Sequence, residues 1–381
     1  MPIRAYLDNN ATTRPHDAVI EAVRFYQDAM YLNAASVAGE LLGAANPLTD
    51  ARAALRDLFG AAHSDAIILT SGATEANSWA IFGSLVEPAH AILCASEHSS
   101  LLAAGRAAAA RGHRVDCVCV DAHGEVRPNE LAALLLPDTR LVSIQLANNE
   151  TGVVQPLASL ATIVREQAQG ALIHTDATQA VGRIPIDLSD ALAEIDLLSF
   201  SAHKFHGPKG IGGLFIRDGI SIAPLIPGEQ ENGLRGGTSN VPGAAGLAIA
   251  ARAALGNLPR MEAIAALRDR LEAELCALRG DARVHSAAVH RIPNTSLITF
   301  PGLEADNVVE QLALRGICIA TGSACTAGAT APSHVLTAMG VSAPEARATL
   351  RFSLSVNTTA QEISQTVAAL VPYLFGEKPD A

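Results

Sequence analysis

The chain has 381 residues, of which 49% are hydrophobic and 17% charged, so it can fill a sizeable core and is not a disordered protein. Its 38 acidic residues exceed its 27 basic residues, and the formal charge of −11 argues against a protein that binds nucleic-acid phosphates. Six irregularly spaced cysteines exclude a disulfide scaffold and favour a reducing, cytoplasmic compartment.

No stretch of the sequence predicts targeting or a membrane span. The first ten residues include Arg4 and Asp8 and lack a long apolar run. The longest uncharged stretch, residues 316–344, is rich in glycine, serine and threonine, which is atypical of a spanning helix. We therefore expect no membrane partner.

Residues 46–216 predict alternating helices and strands. A helix over 46–58 begins with Pro47 in its first turn and ends at Gly60. Seven short apolar runs follow, several of them apolar at successive residues, as in strands buried on both faces: 66–70, 91–95, 114–120, 141–146, 171–175, 195–200 and 213–216. Helices are predicted between them over 75–82, 99–111, 128–136 and 156–169. This alternation predicts an α/β domain with a mostly parallel sheet.

From about residue 249 the pattern changes to a second, smaller α+β region. Residues 252–279 predict one or two long amphipathic helices. The elements predicted after them are a strand over 295–300, a helix over 305–315, strands over 317–320 and 349–353, and a closing helix over 359–374.

Polar clusters follow the ends of five predicted strands. They occupy residues 71–75, 97–98, 148–150, 176–179 and 201–204. An open α/β sheet binds its ligands in the crevice beyond the carboxyl ends of its strands. One such cluster alone is typical of an ordinary loop or helix cap, but five at equivalent ends predict a shared site.

The residue types in these clusters fit a phosphorylated aldehyde cofactor. The small residues 71–74 open a helix, so their N–H groups and hydroxyls can hold a phosphate, and Ser201 and His203 can add donors. Lys204 or Lys209 can form a Schiff base with the aldehyde, and composition does not choose between them.

Two further residues suit the ring of pyridoxal phosphate (PLP). Asp176 can pair with a pyridinium nitrogen. His98 can stack on the ring and transfer a proton, although a helix-capping histidine would have the same surroundings in sequence.

Cys325 lies in a run of small residues, Thr-Gly-Ser-Ala-Cys-Thr-Ala-Gly-Ala-Thr, which predicts a loop with an exposed, mobile thiol. The other cysteines are interpreted as structural. Cys94, Cys117, Cys119 and Cys318 fall in predicted apolar strands and are expected to be buried, and Cys276 falls on an amphipathic helix. No cysteine–histidine spacing predicts a metal site, because Cys117-Val-Cys119 lacks a second pair.

Ten short motifs are distributed over nearly the whole chain: residues 6–13, 70–77, 97–98, 148–152, 176–182, 201–204, 207–210, 235–240, 322–326 and 351–354. The most specific are Ser-Ala-His-Lys at 201–204 and Gly-Ser-Ala-Cys-Thr at 322–326. In these ten motifs and in their order along the chain, the sequence resembles the PLP-dependent cysteine desulfurases of the NifS/IscS type, in the class-V aminotransferase family. The resemblance implies the fold-type I α/β architecture: a large domain over 15–250 with a mostly parallel seven-stranded sheet, and a small α+β domain from 1–14 and 251–381 that carries the cysteine loop.

The resemblance also implies a role for each matched residue. Lys204 would hold PLP as a Schiff base, Asp176 would pair with the ring nitrogen, and His98 would stack on the ring. Further cofactor contacts would come from Ala73, Thr74, Asn149, Gln179, Ser201 and His203, and from Thr238 across a homodimer interface. Asn149 and Arg351 would bind the carboxylate of L-cysteine. Cys325 would take the substrate sulfur as a persulfide, release alanine, and pass the sulfur to an acceptor protein in sulfur or iron–sulfur cluster metabolism.

The sequence departs from the family pattern at three places, and these departures bear on which type of family member we expect. Arg14 precedes Pro15, residues 33–38 lack the usual proline and histidine, and the chain ends soon after Phe375, short of the extension that docks an iron–sulfur scaffold in housekeeping members. We therefore expect a specialised NifS-like enzyme. A selenocysteine lyase, or another PLP-dependent lyase or aminotransferase, is the alternative enzyme, and a non-catalytic interaction protein on the same fold is the remote one.

Overall fold

A computed structural model describes residues 2–322 and 332–376 of the chain. Its strands are β1 (Ala5–Tyr6), β2 (Ala66–Thr70), β3 (His90–Cys94), β4 (Arg114–Val118), β5 (Thr139–Ser143), β6 (Leu172–Asp176), β7 (Leu197–Ser201), β8 (Gly212–Ile216), β9 (Arg283–Val284), β10 (Thr295–Thr299), β11 (Ile317–Cys318), β12 (Ala320–Thr321) and β13 (Thr349–Ser353). Its helices are α1 (Asp17–Asp28), α2 (Val37–Leu41), α3 (Asn46–Phe59), α4 (Ala73–Ser84), α5 (Ser99–Ala110), α6 (Pro128–Leu134), α7 (Leu157–Gln167), α8 (Val241–Asn257), α9 (Met261–Leu278), α10 (Ala305–Leu314), α11 (His334–Ala338), α12 (Ala343–Arg347) and α13 (Ala360–Leu374).

The large sheet has seven strands in the order β2-β8-β7-β6-β5-β3-β4. β8 runs antiparallel to both of its neighbours, and the strands from β7 to β4 pair in parallel. All five residues of β3, β6, β7 and β8 are buried, which explains the successive apolar residues of β3 and β8. The strands β6 and β7 also bury polar side chains, and His174 and Ser199 bond to each other at 2.8 Å. The predicted mostly parallel α/β sheet is confirmed, and its parallel strands end at one common edge.

Helices α1, α3 and α8 pack together beside this sheet. Close approach depends on small residues in α8, since a Cβ on Gly246 would lie 2.9 Å from the Val23 side chain. Residues Val241–Leu278, which span α8 and α9, are apolar enough to pass a composition test for a membrane helix, but 56% of the apolar window is buried inside the protein. That burial is typical of a core helix.

The second sheet has four antiparallel strands in the order β12-β13-β10-β9, and β1 pairs in parallel with β11. The single strand predicted over 317–320 is therefore wrong in one respect: the chain switches partners between Cys318 and Ala320, pairing first with β1 and then with β13. The proposed domain division at residues 14/15 and 250/251 stays a prediction. Helix α8 runs across position 250.

The expected burial of Cys117 and Cys119 is wrong, because both are exposed. β4 is an edge strand of the large sheet, so only alternate residues face the core: Val118 and Val120 are buried, whereas the two cysteines between and before them face outward. Cys94 is buried as expected. The expected burial of Cys318 is wrong, because it ends a two-residue strand and is only half-buried; Cys276 is also half-buried.

Candidate active site

A cavity of about 560 Å³ opens at the carboxyl edge of the large sheet. Ten of the twelve predicted site residues line it: Ala73, Thr74, His98, Asn149, Asp176, Gln179, Ser201, His203, Lys204 and Arg351. Most of these residues lie at or just after the carboxyl ends of neighbouring parallel strands, which places their side chains close together. For example, β6 ends at Asp176 and β7 ends at Ser201. The five polar clusters therefore do converge on one site.

The two candidate lysines differ in the solvent exposure and the hydrogen bonds of their side chains. Lys204 ends a short 3-10 helix directly after β7, and its Nζ donates to the carbonyl oxygens of Asn10 at 2.6 Å and Ala11 at 2.7 Å. Lys209 also borders the cavity, but its side chain is exposed. Lys204 is the amine held inside.

Asp176 is a buried carboxylate, 5% exposed, fixed by two neutral donors. Its Oδ2 accepts from the Asn77 amide at 2.7 Å, and its Oδ1 accepts from the Thr178 backbone N–H at 2.9 Å. Asp176 takes part in none of the ion pairs found within residues 2–322 and 332–376. A buried carboxylate without a cation is costly, so this position suits a ligand that carries a positive charge.

The opposite side of the cavity suits an anion. Helix α4 begins at Ala73, so the backbone N–H groups of its first turn have no partner within the helix. Gly72, directly before this turn, has a φ of +154°, a backbone conformation that residues with a Cβ rarely adopt. Burial, followed by the charges of nearby lysines, lowers the pKa of His203 to about 4, so it is a neutral donor at pH 7.

His98 stands at the start of α5 as a neutral imidazole of defined tautomer. Burial lowers its pKa, although the Asp176 charge acts in the opposite direction. The Ser100 backbone N–H donates to its Nδ1 at 3.2 Å, so Nδ1 is an acceptor and the ring proton lies on Nε2. His98 therefore caps the helix while its side chain borders the cavity. Its stacking on a cofactor ring stays a prediction.

Asn149 and Arg351 meet at one wall of the cavity. Arg351, 2% exposed on β13, donates from Nη1 to the Asn149 carbonyl at 3.1 Å and from Nη2 to Asp8 at 2.7 Å. In the part of the chain that the structure describes, the Arg351 Nε and the Asn149 Oδ1 are buried and lack hydrogen-bond partners. This wall can accept a further polar group.

The two remaining predicted site residues are Thr238 and Cys325. Thr238 is exposed and lines a separate pocket of about 180 Å³, which shares Ser71 and Gly210 with the main cavity. Cys325 lies outside the described residues. The altered 33–38 segment does not line the cavity: its Ser36 caps α2 and bonds to the Asn33 carbonyl at 2.8 Å.

Several residues that line the cavity, and one buried glutamate behind it, were not among the site residues predicted from the sequence. Asn10–Thr12, Gln145 and Thr178 also line the cavity. Glu150 lies behind it, accepting a hydrogen bond from the Ser333 hydroxyl and facing the charge of Arg351. Burial raises the pKa of Glu150 to about 7. The sequence signal that could have identified Glu150 is its position next to Asn149 in the polar cluster 148–150.

We expect Glu150 to make stability fall as pH rises. A carboxyl with a pKa of about 7 in the folded chain and 4.5 unfolded costs nothing below pH 4.5 and up to about 3 kcal/mol at pH 8. Glu150→Gln removes that charge, so the variant should gain stability over the wild type between pH 5 and pH 8. Urea unfolding at both pH values measures the gain.

Glu75→Gln is the matched control of opposite sign. Hydrogen bonds from Arg235 and Ser71 outweigh burial and lower the Glu75 pKa, so removing its charge should cost stability at pH 8. If the difference between Glu150→Gln and wild type were the same at both pH values, Glu150 would not carry the pH dependence.

The residues of the cavity fit PLP. Asp176 offers the missing countercharge for a pyridinium, the α4 N-terminus with Ser201 and His203 suits a phosphate, and Lys204 is the amine for an aldehyde. The buried Thr178 hydroxyl, which has no partner among the described residues, faces the same space.

Comparison with known proteins agrees with this geometry. Residues 5–366 match the family model described as aminotransferase class-V, whose members are in general PLP-dependent. A protein named cysteine desulfurase from Cereibacter sphaeroides is 42% identical over 374 residues, covering 97% of this chain and 95% of that protein.

Solved structures agree as well. A NifS-like protein superposes with a TM-score of 0.90 at 35% identity, covering 98% of this chain and 100% of that one. A structure described as SspA in complex with cysteine has a TM-score of 0.79 at 33% identity, covering 93% and 100%. The chain therefore belongs to the class-V aminotransferase family, in the group that contains the NifS-like cysteine desulfurases.

Proposed function

We propose that this chain is a PLP-dependent cysteine desulfurase that removes sulfur from L-cysteine, releases L-alanine, and holds the sulfur as a persulfide on Cys325. The observation that carries the proposal is the presence, in one cavity, of the Lys204 amine held by two backbone carbonyls and of the buried Asp176 carboxylate, which forms no ion pair among the described residues. About 40% identity to relatives named cysteine desulfurase supports the substrate.

In this proposal the cofactor lies along the carboxyl edge of the sheet. The first turn of α4, at Ala73 and Thr74, would hold its phosphate together with Ser201 and His203. Asp176 would keep the ring nitrogen protonated, and Gln179 would donate to the ring oxygen. Bound there, PLP would withdraw electrons from the substrate α-carbon, which eases loss of the α-proton and cleavage of the C–S bond.

The chain's own residues would position the substrate and move protons. Arg351 and Asn149 would bind the substrate carboxylate. The buried Arg351 Nε lacks a partner within residues 2–322 and 332–376 and would donate to a carboxylate oxygen, and Asn149 would donate through its Nδ2 amide. His98 would cover the ring and hold a transferable proton on Nε2, because its Nδ1 is occupied by the Ser100 N–H.

Sulfur transfer would use the Cys325 thiolate as nucleophile. The thiolate attacks the sulfur of the substrate, so that an S–S bond forms as the Cβ–S bond breaks, and the carbon skeleton takes up protons and leaves as alanine. Sulfur is reduced again only when a separate acceptor protein, or a thiol reductant in vitro, removes it from the persulfide.

The proposal includes a homodimer in the cytoplasm. Thr238 is exposed in a pocket that adjoins the main cavity through Ser71, a placement that suits a contact with the cofactor of a second copy. An acceptor protein in sulfur or iron–sulfur metabolism would complete the cycle.

Mass spectrometry of the cysteines tests the proposal. After incubation with L-cysteine and PLP, we expect one added sulfur on the peptide that contains Cys325, and Cys325→Ala should lose sulfide release by roughly a thousandfold. The exposed Cys117 and Cys119 are built-in controls for non-specific persulfidation, and Cys117→Ala should leave the rate unchanged. Full sulfide release from Cys325→Ala would refute the proposed persulfide route.

A further inference from the structure

Arg183 is a buried guanidinium beneath the cavity that bonds only neutral oxygens among the described residues. It is 6% exposed. Its Nη1 donates to the Gln179 carbonyl at 2.8 Å and to the Gln179 side-chain Oε1, and its Nη2 donates to the carbonyls of Asn9 at 3.3 Å and Lys204 at 3.4 Å. Within the described residues it forms no ion pair, unlike Arg291, which pairs with Glu272, and Arg351, which pairs with Asp8.

A charge in this position is unfavourable for stability. Burial, and after it the positive charge of Arg351, lowers the pKa of Arg183 to about 9. Carbonyl oxygens solvate the guanidinium only in part, whereas a neutral apolar residue of similar length would need no such solvation. A purely structural role is therefore a poor explanation for a cation here.

The contacts of Arg183 join three segments that build the cavity. Asn9 follows β1, Gln179 follows β6, and Lys204 follows β7. Because Arg183 occupies the Gln179 Oε1, the amide Nε2 of Gln179 points the other way and donates to the Asn10 carbonyl at 3.0 Å. The Lys204 Nζ donates to that same Asn10 oxygen at 2.6 Å, so the Gln179 amide and the Lys204 amine lie side by side.

We propose that Arg183 is a positioning residue for PLP, which fixes the Gln179 carboxamide with its N–H toward the cavity and holds the Lys204 backbone in register with it. This inference rests on the proposed function, since it takes PLP as the ligand. Without Arg183 the carboxamide can rotate and turn its oxygen toward the ring oxygen of the cofactor, where a donor is required.

The test measures PLP binding to the full-length apoenzyme by titration of its fluorescence and of the visible band of the bound cofactor. We expect Arg183→Met and Gln179→Ala each to raise the Kd for PLP about tenfold and to shift the absorbance maximum in the same direction. Because both changes remove one interaction, the double variant should bind within about twofold of the weaker single variant.

Arg217→Met is the matched control. Arg217 also donates to backbone carbonyls, those of Ile195 at 2.8 Å and Leu188 at 3.0 Å, but it follows the antiparallel β8 and lies at the end of the sheet opposite to the cavity. We expect its Kd for PLP and its absorbance maximum to match the wild type.

The outcomes separate this inference from the function it rests on. Wild-type protein that binds no PLP contradicts the proposed function. Wild-type binding together with an unchanged Kd in Arg183→Met, or additive effects in the double variant, overturns the role of Arg183 alone. If Arg183→Met does not fold, Arg183→Lys decides: one ammonium cannot serve Gln179 and both carbonyls, so its Kd must also rise, and wild-type affinity would overturn the inference.

Discussion

Replacing Lys204 by alanine is expected to abolish sulfur release from L-cysteine, with a loss of roughly a thousandfold or more. The Nζ of Lys204 is the amine that the carbonyls of Asn10 and Ala11 hold inside the cavity, at 2.6 and 2.7 Å. Alanine leaves those two carbonyls without this donor and, if Lys204 holds PLP as proposed, would leave the cofactor aldehyde without its covalent partner. Sulfide release and the visible absorbance of the purified protein measure the loss together.

Lys209→Ala is the matched control, because residue type alone does not distinguish Lys209 from Lys204. Lys209 borders the same cavity but is exposed, so we expect its loss to change the rate by no more than about twofold. Borohydride reduction followed by peptide mapping identifies the lysine that bears the cofactor. Attachment at Lys209, or a Lys209→Ala variant as inactive as Lys204→Ala, would reverse the two assignments.

The lysine pair shows what sequence can and cannot supply. The cluster after β7 could be located from residue type, because a lysine after a buried apolar strand is conspicuous. The partners of its amine could not, since they are backbone carbonyls nearly 200 positions earlier in the chain, and a carbonyl has no residue-type signal. Only the fold brings the segment after β1 into contact with the end of β7.

The secondary structure likewise contains elements that the sequence predicts and elements that form only through contacts in the folded chain. The buried strand β2 was predicted with its observed bounds, because burial on both faces produces an uninterrupted apolar run, Ala-Ile-Ile-Leu. The strand β13 was also predicted with its bounds, although it alternates polar and apolar residues, Thr-Leu-Arg-Phe-Ser. Helix α1 was missed although Val19 and Val23 recur at helical spacing on one face; Val19 is its single fully buried residue, and most of the helix is exposed. The two-residue β1 exists only through its pairing with β11, more than 300 positions away.

Replacing Asp176 by asparagine is expected to lower the rate of alanine formation by about a hundred- to a thousandfold while leaving the fold intact. The variant removes the charge that would hold the ring nitrogen protonated, so electron withdrawal from the substrate weakens. Asparagine fits the site because the Asn77 amide can rotate: its Oδ1 is buried without a partner among the described residues and can accept from the new Nδ2. Single-turnover kinetics with L-cysteine measures the effect.

Thermal unfolding separates a functional from a structural role for Asp176. In the apoprotein the variant relieves a buried carboxylate that no described cation neutralises, so its Tm should rise above that of wild type. On adding PLP the order should reverse, because the wild type gains a charged partner and the variant does not. Asp196→Asn, which breaks the buried pair with Arg165 away from the cavity, should lower Tm in both states without slowing the reaction. A lower Tm of apo Asp176→Asn would mean that the carboxylate already serves the fold, and the case for a pyridinium beside it would lose its main support.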